Sequence, residues 1–128
     1  MARRPSVRIG RVYEPRTRQD GFRVLVDRIW PRGLTKEKAD LDEWCKSISP
    51  STDLRKWYNH DPDRFNEFVR RYKGELEETE PAEALRHLRE LAKKKTLTLL
   101  TATKEADISE AAVVAGVLRG TTESQSSK

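Results

Sequence analysis

The chain predicts an α/β fold: a single small domain on about three strands in a mostly parallel sheet, with four to five helices packed around it. Three observations carry this. β-rich apolar runs lie at 7–12, 22–29 and 96–101. The long segment between the second and third has a helical period. The last run follows one helix and precedes another, the order of an α/β unit in which a crossover joins parallel strands.

At 128 residues and 14.8 kDa the chain has the length of one core rather than two. Hydrophobic residues make up 35% and charged residues 37%, so three Trp, three Tyr and three Phe must supply much of a small core. Polar, aperiodic stretches at 1–6 and 120–128 read as disordered tails around a domain at 7–119. No run approaches the roughly 18–20 apolar residues that span a bilayer, and the arginine-rich start leads into no apolar leader. A cytoplasmic protein with no membrane partner is expected. One cysteine, Cys45, and two histidines exclude an internal disulfide and a thiolate or histidine metal cluster. No metal site and no cofactor motif is evident.

Val7–Val12 reads as a partly alternating strand and Phe22–Ile29 as a more apolar one, separated by a loop with Glu14-Pro15 and Asp20-Gly21 as turn signals. Pro31 stops the second strand at Trp30, and Arg32-Gly33 makes a turn. From Asp40 the spacing of Leu41, Trp44, Cys45 and Ile48 predicts a helix, with Asp40 and Glu43 as a capping box and Pro50 as its stop. Ser51 or Thr52 caps a short helix bearing Leu54, Trp57 and Tyr58. Asp61-Pro62 opens a helix with the stripe Phe65, Phe68, Val69, Tyr72 and Leu76. Pro81 opens another, facing Leu85, Leu88, Leu91 and Ala92 inward. Thr96–Thr101 is the third strand. Asp107 or Ser109 caps a last helix whose small side chains suit packing on a sheet.

The net charge of +5 is unevenly placed: residues 1–36 hold ten basic side chains, nine of them Arg, against Glu14, Asp20 and Asp27. Arginine suits bidentate recognition of carboxylate and phosphate, so an anionic partner is expected. Ligands of open α/β sheets bind beyond the carboxyl ends of the strands, which draws attention to Asp27-Arg28-Ile29-Trp30-Pro31-Arg32-Gly33. Arg28 and Arg32 are candidates to hold an anion and Trp30 to stack on a planar ring; buried ion pairs and core filling are the other reading. Asp27 is a candidate proton carrier. His60, in Trp57-Tyr-Asn-His-Asp-Pro62, is a candidate general acid or base, since histidine is the side-chain type suited to proton transfer around neutral pH, or else a turn histidine. Trp57 is a second stacking candidate. Lys104, with the hydroxyls of Thr101 and Thr103 and the last helix N-terminus, forms a candidate anion cradle. Cys45 falls on an apolar stripe and reads as a buried thiol.

Asp27-Arg-Ile-Trp-Pro-Arg-Gly33, with Leu41-Asp-Glu-Trp44, Pro50-Ser-Thr-Asp-Leu-Arg-Lys-Trp57, His60, the Phe68–Leu76 helix and Thr96–Leu100, resembles the family catalogued as domain of unknown function 488, in its short YeaO-like branch. The resemblance covers almost all of 7–119 and implies a small prokaryotic cytosolic α/β protein. Where YeaO-like proteins often read Lys-Asp-x-x-His-Asn, this chain has Lys104-Glu-Ala-Asp-Ile108-Ser109, so chemistry using that His is lacking, and the cysteine-and-histidine element of longer members is absent too.

Three readings follow. The first is a domain that binds or acts on an anionic, phosphate-bearing and nucleotide-like small molecule. The second is a nucleic-acid-binding or regulatory protein using the arginine-rich first third, against which stands the lack of a helix-turn-helix with a basic recognition helix. The third is an interaction module in which the 27–33 segment is buried and fully satisfied.

Overall fold

The computed structural model describes residues 6–120. The expected tails, apart from Ser6 and Gly120, lie outside those residues. Four strands, β1 (Val7–Arg11), β2 (Phe22–Leu25), β3 (Glu43–Trp44) and β4 (Leu97–Thr101), form one sheet in the order β1-β4-β2-β3. Every pairing is parallel. The Leu-Thr-Leu-Leu-Thr run of β4 is buried along its whole length and takes a central place, as an unbroken apolar strand does in a parallel sheet. Val7 and Phe22 flank Leu97 on either side, and Gly10 and Leu25 flank Leu100.

Among the described residues five helices join the sheet: α1 (Lys36–Ala39), α2 (Thr52–Tyr58), α3 (Phe65–Glu75), α4 (Thr79–Lys94) and α5 (Glu110–Arg119). Alternation along the strands divides the core. Val24, Leu97 and Leu99 belong to the larger cluster, with Phe68 and Tyr72 of α3, Leu88 of α4 and Val114 and Leu118 of α5. Leu25 and Leu100 belong to a smaller one with Val12 and Ala39, against which Trp30 and Trp44 pack. Ser51 caps α2 by accepting from Leu54 N, and Ser109 rather than Asp107 caps α5 by accepting from Ala112 N. Asp61 caps the short turn at Pro62–Arg64 that runs into α3. Pro81 does not open α4 but sits in its first turn, where its missing N–H has no helical partner to lose.

The helix expected from Asp40 does not form. Thr35 caps α1 instead, and Asp40 ends it in the left-handed conformation at φ 50°. The chain then runs as β3 along the free edge of β2: Asp42 N donates to Arg23 O at 2.9 Å, Cys45 N to Leu25 O at 2.9 Å, and Arg23 N to the Asp42 carboxylate at 2.9 Å. Edge pairing, with the Arg23 guanidinium bonded to Ala39 O and Asp40 O, satisfies more backbone than a short helix would. The small, parallel-stranded α/β fold is the expected one, with β3 as a short fourth strand on its edge. Burial and Glu43 push the Cys45 thiol up, away from the reactive thiolate.

β2 also ends earlier than the expected Ile29. Val26 N still donates to Leu100 O at 3.1 Å, but Asp27 then breaks the ladder, its Oδ2 accepting from Ala102 N at 2.8 Å and its carbonyl from Trp44 Nε1 at 2.7 Å. The sequence from Asp27 to Leu34 is thereby released as a loop over the end of the sheet. Gly33 closes that loop at φ 73°, a conformation that a β-carbon disfavours.

Candidate functional site

A pocket of about 530 Å3 lies at the carboxyl ends of β2 and β4. The 27–32 loop forms one wall, the end of α2 with Asn59 and His60 another, and Ala102, Thr103 and Glu110 a third. Asn59 and His60 both have positive φ, at 47° and 55°. Two successive left-handed residues without a glycine are strained, and they carry the chain from α2 across the pocket mouth.

Five of the seven residues singled out in the sequence line this pocket: Asp27, Arg28, Trp30, Arg32 and His60. Asp27 is buried; Arg28, Arg32 and His60 are exposed, and Trp30 lies between. Arg28 donates to Pro50 O at 3.2 Å instead of stacking on Trp30. Trp30 is fixed by its Nε1 donating to Leu34 O at 2.7 Å and by an edge-on contact with Trp44 at 5.2 Å between ring centroids.

Trp57 and Lys104 do not line it. Trp57 packs on the core with the guanidinium groups of Arg64 and Arg71 5.2 and 4.3 Å from its ring centroid, so its ring is already covered. Lys104 is exposed beyond a turn whose backbone is spoken for: Arg11 donates to Thr103 O and Ala102 O, and Thr101 Oγ1 accepts from Thr103 N.

Several lining residues carried no signal in the sequence. Arg55 and Lys56 add two cations from α2 to those of the loop. Tyr58 stacks on Phe68 at 4.2 Å and donates to Ile108 O at 2.6 Å. Burial, then the charges of Glu110, Glu105 and Asp61, push its phenol up to about 12. Tyr13 and Ile29 are the exposed large hydrophobic residues among those described, 40% and 63% exposed, and both sit on the pocket rim.

Glu110, the first residue of α5, is the most consequential addition. Burial pushes its carboxyl well above the ordinary range, and a hydrogen bond to Asp27 and the Asp27 charge push it further, outweighing the charge of Arg55. Asp27 Oδ1 is buried and accepts from no N–H or hydroxyl group. Burial and the Asp27 charge thus favour the neutral form of Glu110 beside a carboxylate oxygen that has no donor of its own. No sequence pattern foretold this: Glu110 reads as an ordinary acid in the first turn of a helix. Among the described residues no group of three or more His, Cys, Asp and Glu side chains is placed to hold a metal ion, and no helix is long and apolar enough to cross a membrane.

The sequence profile described as "Inactive DUF488-N3 subclade" matches residues 6–128. The uncharacterized protein Rv3073c of Mycobacterium tuberculosis is 47% identical over 120 residues, which cover 94% of this chain and 99% of that protein. The uncharacterized protein Mb3100c of Mycobacterium bovis matches to the same extent. The uncharacterized protein YeaO of Escherichia coli K12 is 41% identical over 114 residues, 89% of this chain and 97% of its own. No solved structure matches. With a profile and relatives that span nearly its whole length, the chain belongs to the YeaO-like DUF488 family, in the subclade described as inactive.

Proposed function

We propose that the chain binds an anionic, phosphate-bearing and nucleotide-like small molecule at the carboxyl edge of its sheet, and that the pocket is kept for binding rather than turnover. The observation that carries this reading is the gathering of Arg28, Arg32, Arg55 and Lys56 around one pocket. The side chains of Arg32 and Lys56 have no hydrogen-bond or ion-pair partner among the described residues, so their charge is available to a ligand. Tyr13 and Ile29 on the rim offer an apolar surface to a planar ring, the role expected of Trp30 or Trp57. A subclade described as inactive fits binding without catalysis.

Duplex or single-stranded nucleic acid is the weaker candidate, because the described arginines of the first third are largely engaged within the protein. Arg8 pairs with Asp20, Arg11 with backbone carbonyls, Arg16 with Asp40 and Asp42, and Arg23 with Asp20. Guanidinium groups held this way release few counterions from a phosphate backbone. An interaction module with a sealed 27–33 segment is weaker still, since Arg28, Ile29 and Arg32 are exposed.

Calorimetric titration with inorganic phosphate and pyrophosphate tests the proposal. The wild type should bind, and the double variant Arg32→Ala/Lys56→Ala should lose most of that affinity while keeping its fold by circular dichroism. Undetectable binding by the wild type at low salt, or unchanged affinity in the variant, overturns it.

A further inference from the structure

Cations at the mouth of a pocket explain an anion, but they do not explain why two carboxyl groups lie deeper beneath them. Asp27 is 9% exposed, and its Oδ1 is buried with no hydroxyl or amide donor. A structural acid at a strand end would have both oxygens saturated, as Asp20 has at the other end of β2. We propose that Asp27 and Glu110 accept hydrogen bonds from the hydroxyl groups of a phosphorylated sugar, whose phosphate is held by the exposed cations of the same pocket. The inference rests on the anion-binding reading and names what the rest of the ligand must be.

Three features favour hydroxyl donors over other partners. Burial and the Asp27 charge push the neighbouring Glu110 carboxyl toward its neutral form, so the two acids present lone pairs at less than the full charge of two carboxylates, which suits neutral O–H groups. A ligand ammonium would meet Arg28, Arg32, Arg55 and Lys56 as well as the acids, and the repulsion would cancel its attraction to one remaining negative charge. Asp27 Oδ2 is already occupied by Ala102 N, which fixes the plane of the carboxylate and leaves Oδ1 as an oriented acceptor. The pocket, at about 530 Å3, falls in the usual size range for sites that enclose a small ligand. Sugar hydroxyls near a phosphate occur both in a free sugar phosphate and in a nucleotide, and the Tyr13 and Ile29 rim distinguishes the two only if a base is present to meet it.

The test is a calorimetric comparison of inorganic phosphate, ethyl phosphate, ribose 5-phosphate and adenosine 5′-monophosphate on the full chain. Ribose 5-phosphate should bind about tenfold tighter than ethyl phosphate, the gain of one or two hydrogen bonds. Glu110→Ala should bring that ratio close to one, and Asp27→Asn should do the same if it folds; Glu110→Ala removes only a side chain from the first turn of α5 and keeps the Ser109 cap. A further gain for adenosine 5′-monophosphate over ribose 5-phosphate identifies a nucleotide, and equal affinities identify the free sugar phosphate. Equal binding of ethyl phosphate and ribose 5-phosphate to the wild type, or an unchanged ratio in Glu110→Ala, overturns the inference and leaves the anion reading standing. Binding of none of the four overturns both.

Discussion

Strand β2 has a buried acid near each end, and the two are built in opposite ways. At its start, Asp20 accepts from Thr17 N and Oγ1, Arg8 and Arg23, the last at 2.9 Å, while Arg23, 1% exposed, spends its other donors on Glu14 O, Ala39 O and Asp40 O. Burial raises the Asp20 carboxyl, but the hydrogen bonds from Arg23 and Thr17 outweigh it and the net shift is downward. At the other end, Asp27 faces Glu110 with no buried cation between them, and Glu110 moves upward. A fully paired acid holds the fold together, whereas one with a buried oxygen left without a donor stores a cost and faces a pocket. Placing both on one strand separates the structural and the ligand-facing ends of the sheet.

The largest effect is expected from breaking the paired end. Arg23→Met leaves the buried Asp20 charge without its main partner and strands three carbonyls, a loss of about 3–5 kcal/mol. Urea unfolding at pH 7 measures it. Asp20 sits below its ordinary 3.8, so its stabilisation is present at neutral pH and fades as pH falls through its folded value. The loss in Arg23→Met should shrink on the same descent. A deficit under about 1 kcal/mol, or one that grows in acid, contradicts the contrast between the two ends.

The opposite sign is expected at the pocket. Glu110 is raised above 4.5, so the folded state is at no disadvantage in acid and loses stability as pH climbs from there toward the folded value. Glu110→Gln keeps a donor for Asp27 and removes the ionisation. It should therefore be more stable than wild type at pH 7, by about 1–2 kcal/mol, and indistinguishable from it near pH 4. Paired unfolding curves at the two pH values decide this. Equal stabilities at pH 7 mean that Glu110 ionises freely in the folded protein.

That comparison also shows where sequence reasoning reaches and where it stops. Asp27, Arg28, Trp30, Arg32 and His60 could be singled out because strand ends and proline stops are local signals, and the sheet topology then gathers their positions. Trp57 stands just before His60 and Lys104 just after a strand end, the same kind of local signal, yet Arg64, Arg71 and Arg11 from other segments engage their surroundings. Glu110 was invisible because it gains its meaning from Asp27, far along the chain, and the Arg23 cluster because its carbonyl partners come from a loop and a helix end that only the fold closes around β2. The false helix at Asp40 is the same failure in local form. Leu41, Trp44, Cys45 and Ile48 have helical spacing, but the free edge of β2 supplied a better set of backbone partners.

The smallest effect separates a neutral bond from the two charged ends. Tyr58 donates to Ile108 O at 2.6 Å and so ties the end of α2 to the turn that leads into Glu110. Tyr58→Phe keeps the stacking on Phe68 and forfeits one hydrogen bond, a cost of about 1 kcal/mol. The phenol is pushed up to about 12, so it remains protonated from pH 4 to 8 and the cost should be flat across that range. A flat profile assigns the pH dependence of the other two variants to Asp20 and Glu110 themselves. A Tyr58→Phe deficit that rises with pH would instead mean that the loosened turn changes how Glu110 meets Asp27, making Tyr58 part of the acid pair's support.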